Sequence, residues 1–335
     1  MSTIQDVARL AGVAPITASR VINNSGYASQ SVRERVLQAV EELGYVPNTL
    51  ARSLRSRKTD TLALILSDIT NPFFTTIARG VEDTASDAGY TVIFCNTDES
   101  ESEERKYLNV LLQKRVDGIL LIPAGNGVQS VQAARDQGIP VVVLDRRAPG
   151  CAADVVRGDS EGGARSLTQL LISLGHRRIA LMTGSPNVST AQDRATGYHA
   201  AMHAAGLEKE ELVFYGRFTQ ASGAEMVRQA IAARPAPTAL FAANNFIAIG
   251  ALNQLRELGQ RVPEDMALVS FDDLPAPLVT FPFLTVAAQP AYEMGCRATT
   301  RLIERLEAAS TDEYREIILP TEVILRASSG SKLTF

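Results

Sequence analysis

The sequence predicts two kinds of fold on one chain: an all-α helix-turn-helix head, then an α/β part built as two doubly wound parallel-sheet lobes. Three observations carry this. The first 46 residues hold three short apolar stripes of helical period, separated by a glycine turn and a polar loop. From Thr61 onward, short apolar runs alternate with longer amphipathic segments, the rhythm of βαβ units. Charge is segregated as well: residues 1–60 carry eight Lys/Arg against five Asp/Glu, and the remainder carries 25 against 32. At 335 residues with 45 % apolar content, the chain has the length and the core material for two or three domains.

In the head, Thr3 with Asp6 three residues later has the form of a capping box. Ile4, Val7, Ala8 and Ala11 then recur on one face, and Gly12 ends the helix. Pro15 suits the first turn of a second helix, where its missing N–H costs nothing. That helix turns Ala18, Val21 and Ile22 inward and shows Pro15, Ile16, Ser19 and Arg20 on its other side. A third helix is expected to open at Ser29 or at Ser31, the latter with Glu34 as box partner. It sends Val32, Val36, Leu37, Val40 and Leu43 inward and closes at Gly44. Two short helices about a glycine turn, braced by a third, form a unit whose second helix enters the major groove of DNA. Geometry alone leaves an ordinary three-helix bundle equally open.

Pro47-Asn48 ends the head, with Asn48 capping a further segment of about two and a half turns. Ala51 and Leu54 share one of its faces, with Arg52 and Arg55 beside them and Arg57 and Lys58 following. Such a segment is too short to be helical alone in water; it needs a partner helix, DNA, or both. A basic stretch beside an acidic globule implies that one end of the chain meets a polyanion.

TIQDVARLAGVAPITASRVIN, RVLQAVEELGYVPN and ARSL together resemble the head and hinge of the LacI/GalR family of bacterial regulators, and the resemblance spans essentially the whole chain. It implies a homodimer whose two heads read a pseudo-palindromic, double-stranded operator, with paired hinge helices in the minor groove. By motif position Leu54 is the wedge at the central base step and Ala51 packs the hinge pair. Arg20 stands where a guanine-reading arginine stands, Pro15 and Ile16 form the specificity pair, and Thr17 and Ser19 touch phosphates or base edges. Ala14 departs from the family's Ser or Thr cap. Pro15 and Ile16 carry no hydrogen-bonding groups, so an apolar readout such as a thymine methyl is expected. The expected divisions are a head (1–46), a hinge (47–60) and an effector-binding and dimerisation part (61–335), its first lobe 61–158 with 291–319 and its second 159–288 with 320–335.

In the larger part, TLALIL, TVIFC, DGILLI, PVVVLD, RRIALM, LVFYG, TALFAA and MALVSFD read as strands. Ligands of doubly wound sheets bind at the strands' carboxyl ends. Asn71, Phe73 and Phe74 follow the first strand, and Asp145-Arg146 follow PVVVLD. Arg194 begins a helix after RRIALM. Phe218, Asn244, Asp272 and Gln289 follow LVFYG, TALFAA, MALVSF and LTVAA. Carboxylates, amides and guanidinium groups for hydroxyls, with aromatic faces for the C–H side of a ring, suit a polyol; taken singly, Asn and Asp also cap helices. This half resembles the type I periplasmic-binding-protein fold, in its ribose-type form, which implies a pentose, hexose or sugar-acid effector. Asn245 departs from the family's usual Asp, and a carboxylate lost beside two arginines raises the chance of a sugar acid, with a neutral pentose or hexose still the first expectation.

No cofactor and no metal is expected. Gly125-Asn126-Gly127 lacks the third glycine and the distant acid of a dinucleotide site, and His199 and His203 lack the glutamate of a zinc helix. Absence of a Walker sequence or nucleophile elbow argues against an enzyme. The basic head, and an N-terminus unlike a secretory signal, argue against a free sugar-binding protein and for the cytoplasm. No apolar run reaches membrane-spanning length. The three cysteines are expected to be thiols. With no leucine-heptad tail, a dimer rather than a tetramer is expected.

Overall fold

A computed structural model describes residues 2–46, 58–274, 281–307 and 313–330. Expectations for Asn48, Ala51, Arg52, Leu54 and Arg55 lie outside these residues. The chain divides into two compact units, Met1–Thr59 and Asp60–Phe335.

In the first unit, α1 (Ile4–Ala11) opens on the complete Thr3–Asp6 capping box. It closes on Gly12, whose left-handed φ of 63° lets its N–H return to Ala8 and Arg9. α2 (Pro15–Ile22) starts from Ala14 with no side-chain cap, as its sequence requires. α3 (Gln30–Glu42) begins after Ser29, so Ser31 lies inside the first turn, and Glu34 accepts from Gln30 instead of completing a box. Leu37 is a correction: it is 51 % exposed, and Ala39 packs inward in its place. The inward stripe runs Val36, Ala39, Val40, Leu43; Leu37 sits about 100° around the helix from Val36 and falls off it. Four of the seven fully buried apolar residues of this core are alanines, so its burial energy is small.

The second unit holds two six-stranded sheets. The first carries β1 (Thr61–Leu66), β2 (Thr91–Asn96), β3 (Gly118–Leu121), β4 (Val141–Leu144) and β5 (Asp154–Gly158). Its helices are α4 (Pro72–Asp87), α5 (Glu101–Lys114) and α6 (Val128–Asp136). The second carries β6 (Ile179–Thr183), β7 (Leu212–Tyr215), β8 (Ala239–Ala242), β9 (Ala267–Phe271) and β10 (Thr285–Ala288). α7 (Ser160–Ser173), α8 (Ser189–Ala204), α9 (Gln220–Ala232) and α10 (Asn245–Glu257) accompany them. The central strands are apolar on both faces because helices cover both, and a separate core fills each side of each sheet.

The chain then returns. α11 (Ala291–Glu307) packs on the first sheet, and β11 (Glu316–Leu319) joins β5 there. β12 (Glu322–Ile324) pairs with β10 of the second sheet. The order is β11-β5-β4-β3-β1-β2 in one sheet and β12-β10-β9-β8-β6-β7 in the other. EIILPTEVIL is two strands in two sheets, parted at Pro320-Thr321. Two corrections follow. β5 was not among the expected strands. The second sheet is not wholly parallel, since β12 runs antiparallel to β10. Asp154, at the start of β5, accepts from Arg301 Nε at 2.9 Å, Arg305 Nε at 2.7 Å and the Arg315 N–H at 2.9 Å, anchoring the returning segment. In both sheets the strand order reverses, between β1 and β3 and between β6 and β8, which defines a crevice at the carboxyl ends.

Candidate functional site

At those carboxyl ends lies a cavity of ≈ 380 Å³, mouth included, with walls from both sheets. Asn71 caps α4, its Oδ1 accepting from the Phe73 N–H, and so aims the first turn of that helix at the cavity. Phe73 and Phe74 are buried there, edge to face with centroids 5.2 Å apart. Asp145 and Asp272 hold equivalent places after β4 and β9. Each N–H still bonds the neighbouring strand, to Val156 and Ala287, and each residue then takes a left-handed φ, 61° and 64°. Two non-glycine residues in that sparse region, both in the wall, mark backbone bent for the site.

The charged groups are buried. Burial pushes the Asp145 carboxyl up to about 6, against the opposing pull of Arg194 and Arg146. Burial raises Asp272 too. Burial alone would lower Arg146, but the charge and hydrogen bonds of Glu99 outweigh it and the guanidinium is raised. Glu99 takes Arg146 bidentately, at 2.7 and 2.6 Å, and Arg146 Nη1 also donates to Pro123 O. Arg194 stacks 3.9 Å over the Phe271 ring, donates to Ala243 O and lies 3.9 Å from Asp272. Three buried atoms, Asp145 Oδ1, Arg146 Nε and Arg194 Nε, have no hydrogen-bond partner among the described residues. Orphaned polar atoms on three residues that line one cavity are the mark of a polar ligand site.

Nine of the ten residues read from the sequence line this cavity: Asn71, Phe73, Phe74, Asp145, Arg146, Arg194, Phe218, Asn244 and Asp272. Gln289 does not; its Nε2 donates to Asp272 Oδ1 at 2.7 Å and holds that carboxylate from behind. Arg194 lies in the second turn of α8, not at its start. Asn244 does cap α10, accepting from Ile247 N–H. Asp68, Glu99 and Thr190 complete the lining and were not read. Glu99 is hidden in an acidic run that resembles a solvated helix start; Asp68 and Thr190 carry no signal. The lobes meet beside the cavity. Asn71 and Asn245 exchange amide hydrogen bonds at 3.0 and 2.9 Å, and Arg147 bonds Ser189 and Asp193.

On α2, Pro15, Ile16 and Arg20 are exposed while Ala18 and Val21 are buried, so the outer face is presented as expected. Thr17 and Ser19 are half-buried, and the Ser19 hydroxyl accepts from Asn23. Tyr27, in the following loop and 92 % exposed, was not singled out.

A helix-turn-helix unit joined to a two-lobed, polar-lined sheet cleft defines a class: DNA-binding regulators that carry a sensor for a small molecule. The family model described as "Bacterial regulatory proteins, lacI family" matches residues 3–48, and "Periplasmic binding proteins and sugar binding domain of LacI family" matches 59–327. The chain is 37 % identical to the ribose operon repressor of Halalkalibacterium halodurans, over 98 % of this chain and 97 % of that one. Among solved structures it resembles the transcriptional regulator CelR–cellobiose complex (36 % identity, TM-score 0.73, 98 % and 100 % of the two chains). It also resembles the lac repressor dimer bound to operator and the anti-inducer ONPF (25 %, 0.84, 98 % and 99 %). The chain belongs to the LacI family and is a DNA-binding transcription regulator. No helix among the described residues is long and apolar enough to cross a membrane.

Proposed function

We propose that this chain is a cytoplasmic homodimeric repressor, not an enzyme, whose hold on a double-stranded operator is controlled by a polyhydroxylated effector of monosaccharide size in the cavity. The observation that carries this is the set of three orphaned buried polar atoms, on Asp145, Arg146 and Arg194, beside the edge-to-face pair Phe73–Phe74. Such a wall supplies acceptors and donors for hydroxyls and an apolar face for ring C–H groups.

Asn71, Phe218, Asn244 and Asp272 complete the contacts, and Gln289 acts through Asp272. The assignment gives residues 1–46 to the head and 61–335 to the sensor, with 47–60 as hinge. In the head, Pro15, Ile16, Thr17, Ser19 and Arg20 read the major groove, and Tyr27 stands exposed beside them for the phosphate backbone. In the hinge, Asn48 caps, Ala51 packs, Arg52 and Arg55 anchor phosphates and Leu54 wedges the minor groove.

Thermal shift of the full chain against five- and six-carbon aldoses tests the reading: one or more should raise the melting temperature saturably. Arg194→Ala should lose that effector in calorimetry and keep basal operator binding. Full affinity in that variant would move the site elsewhere.

A further inference from the structure

The sugar acid that the Asn245 departure brings into play does not fit the charges of the cavity, and the reason is Glu99. Four carboxylates line it, Asp68, Glu99, Asp145 and Asp272, against two guanidinium groups, Arg146 and Arg194. Each guanidinium is already faced. Glu99 takes one hydrogen from each η nitrogen of Arg146 in an end-on bidentate pair, and Pro123 O takes the second Nη1 hydrogen. Arg194 is held by Ala243 O and opposed by Asp272. The end-on fork of Arg146 is therefore occupied, and its charge is offset by Glu99; what stays unpaired is the side edge, Nε with the second Nη2 hydrogen. Glu99 is itself placed by the loop after β2, where Asp98 and Glu99 both take left-handed φ, 50° and 59°. A second acid near Arg146, Glu104, is committed to the Ala124 N–H and to Ser130 Oγ.

We propose that Glu99 is the positioning residue that sets the charge class of the effector: by taking the end-on fork of Arg146 and offsetting its charge it admits neutral polyols and excludes ligands bearing a carboxylate. This rests on the proposed function of the cavity and goes a step past it. A free carboxylate in this cleft meets a wall of net negative charge, and like charges brought together in a desolvated site cost several kcal/mol, a discrimination of about a hundredfold or more. With Glu99 neutral, the wall loses one negative charge and the charge of Arg146 is no longer offset.

The test compares aldose–aldonate pairs of five and six carbons, and acetate alone, on the full chain as wild type, Glu99→Gln and Glu99→Asp. Wild type should bind an aldose and reject its aldonate. Glu99→Gln should shift the aldose-to-aldonate affinity ratio by about tenfold or more toward the acid, with saturable stabilisation by acetate that wild type lacks. Glu99→Asp keeps the charge and should restore the aldose preference, which a merely structural role would not predict. If Glu99→Gln folds only in acetate, the unbalanced charge of Arg146 is shown directly. The inference is overturned if wild type binds the aldonate as tightly as the aldose. It is overturned equally if acetate neither folds nor stabilises Glu99→Gln. The acetate arm needs no sugar, so a failure of every sugar in wild type would count against the proposed effector and leave the role of Glu99 to be decided by acetate.

Discussion

Asp145 shows how a single side chain couples the cleft to pH. Burial lifts its carboxyl from an ordinary 3.8 to about 6. A carboxyl raised on folding contributes stability that is fully present below 3.8 and lost as pH rises through about 6. An effector hydroxyl donating to the orphaned Oδ1 favours the ionised form and pulls the value back down. Effector binding at pH 6 should therefore release a proton, and affinity should fall as pH drops below 6. Calorimetry at pH 6 in two buffers of different ionisation heat reads this directly; heats that agree would show that Asp145 receives no hydroxyl. On the head, Arg20 is exposed beside Pro15 and Ile16, two side chains without hydrogen-bonding groups. Arg20→Ala should cost about 1–3 kcal/mol on operator and relax one base pair per half-site, with little change on random DNA. Equal losses on both DNAs in parallel titrations would reduce it to a phosphate contact. Unlike Arg194 in the second turn of α8, Asp145 and Asp272 were legible because each stands directly after an apolar strand, where a polar side chain has no reason to be unless it faces a crevice. Gln289 stands there too, but Asp272 takes its amide, a side-chain pairing no spacing reveals.

Helices and strands carried a different kind of signal. Apolar runs such as TLALIL are legible because a strand covered on both faces must be apolar throughout. β5, DVVRG, was not, since Asp154 and Arg157 break the run. Their charges are satisfied by Arg301, Arg305 and Glu316, all more than 140 residues away in the chain. The split of EIILPTEVIL between two sheets is likewise invisible to periodicity. The glycines inside helices, by contrast, are a sequence feature with a definite structural price of omission. A Cβ on Gly80 of α4 would stand 2.2 Å from the Tyr292 carbonyl oxygen of α11, and one on Gly295 would stand 2.3 Å from that of Ile77. Backbone cannot step aside as a rotamer can. Gly80→Ala should destabilise by about 1–3 kcal/mol, despite the better helix propensity of alanine. Urea unfolding of the full chain measures it; a neutral or stabilising outcome would mean that the two helices can separate without cost.

Across the whole sensor, two similar sheets face one another with effector chemistry at the carboxyl ends of both and contacts between lobes beside it. The chain passes from one sheet to the other after β5, after β10 and after β11, so the lobes can rotate about these connections as hinge-closing proteins do. Next to the cavity they are held by Arg147 with Ser189 and Asp193, and by the pair Asn71–Asn245, in which each amide gives and takes one hydrogen bond. Asn245 is fully buried and Asn71 nearly so. A carboxylate in place of the Asn245 amide could accept from Asn71 but return nothing. Asn71 Oδ1 would keep only the Phe73 N–H, and a buried charge would stand without a counter-ion. Protonation would restore a donor, and burial raises the pH at which that happens. Asn245→Asp should therefore open the lobes at pH 7.5 and close them again toward pH 5. Small-angle scattering should show a larger radius of gyration at the higher pH, with effector affinity lowered by about tenfold or more, the loss expected when a buried partner is left unsatisfied. Asn245→Ala, which cannot regain a donor, should lose affinity at both pH values. A radius and an affinity in Asn245→Asp that match wild type throughout would show that lobe closure does not depend on this pair.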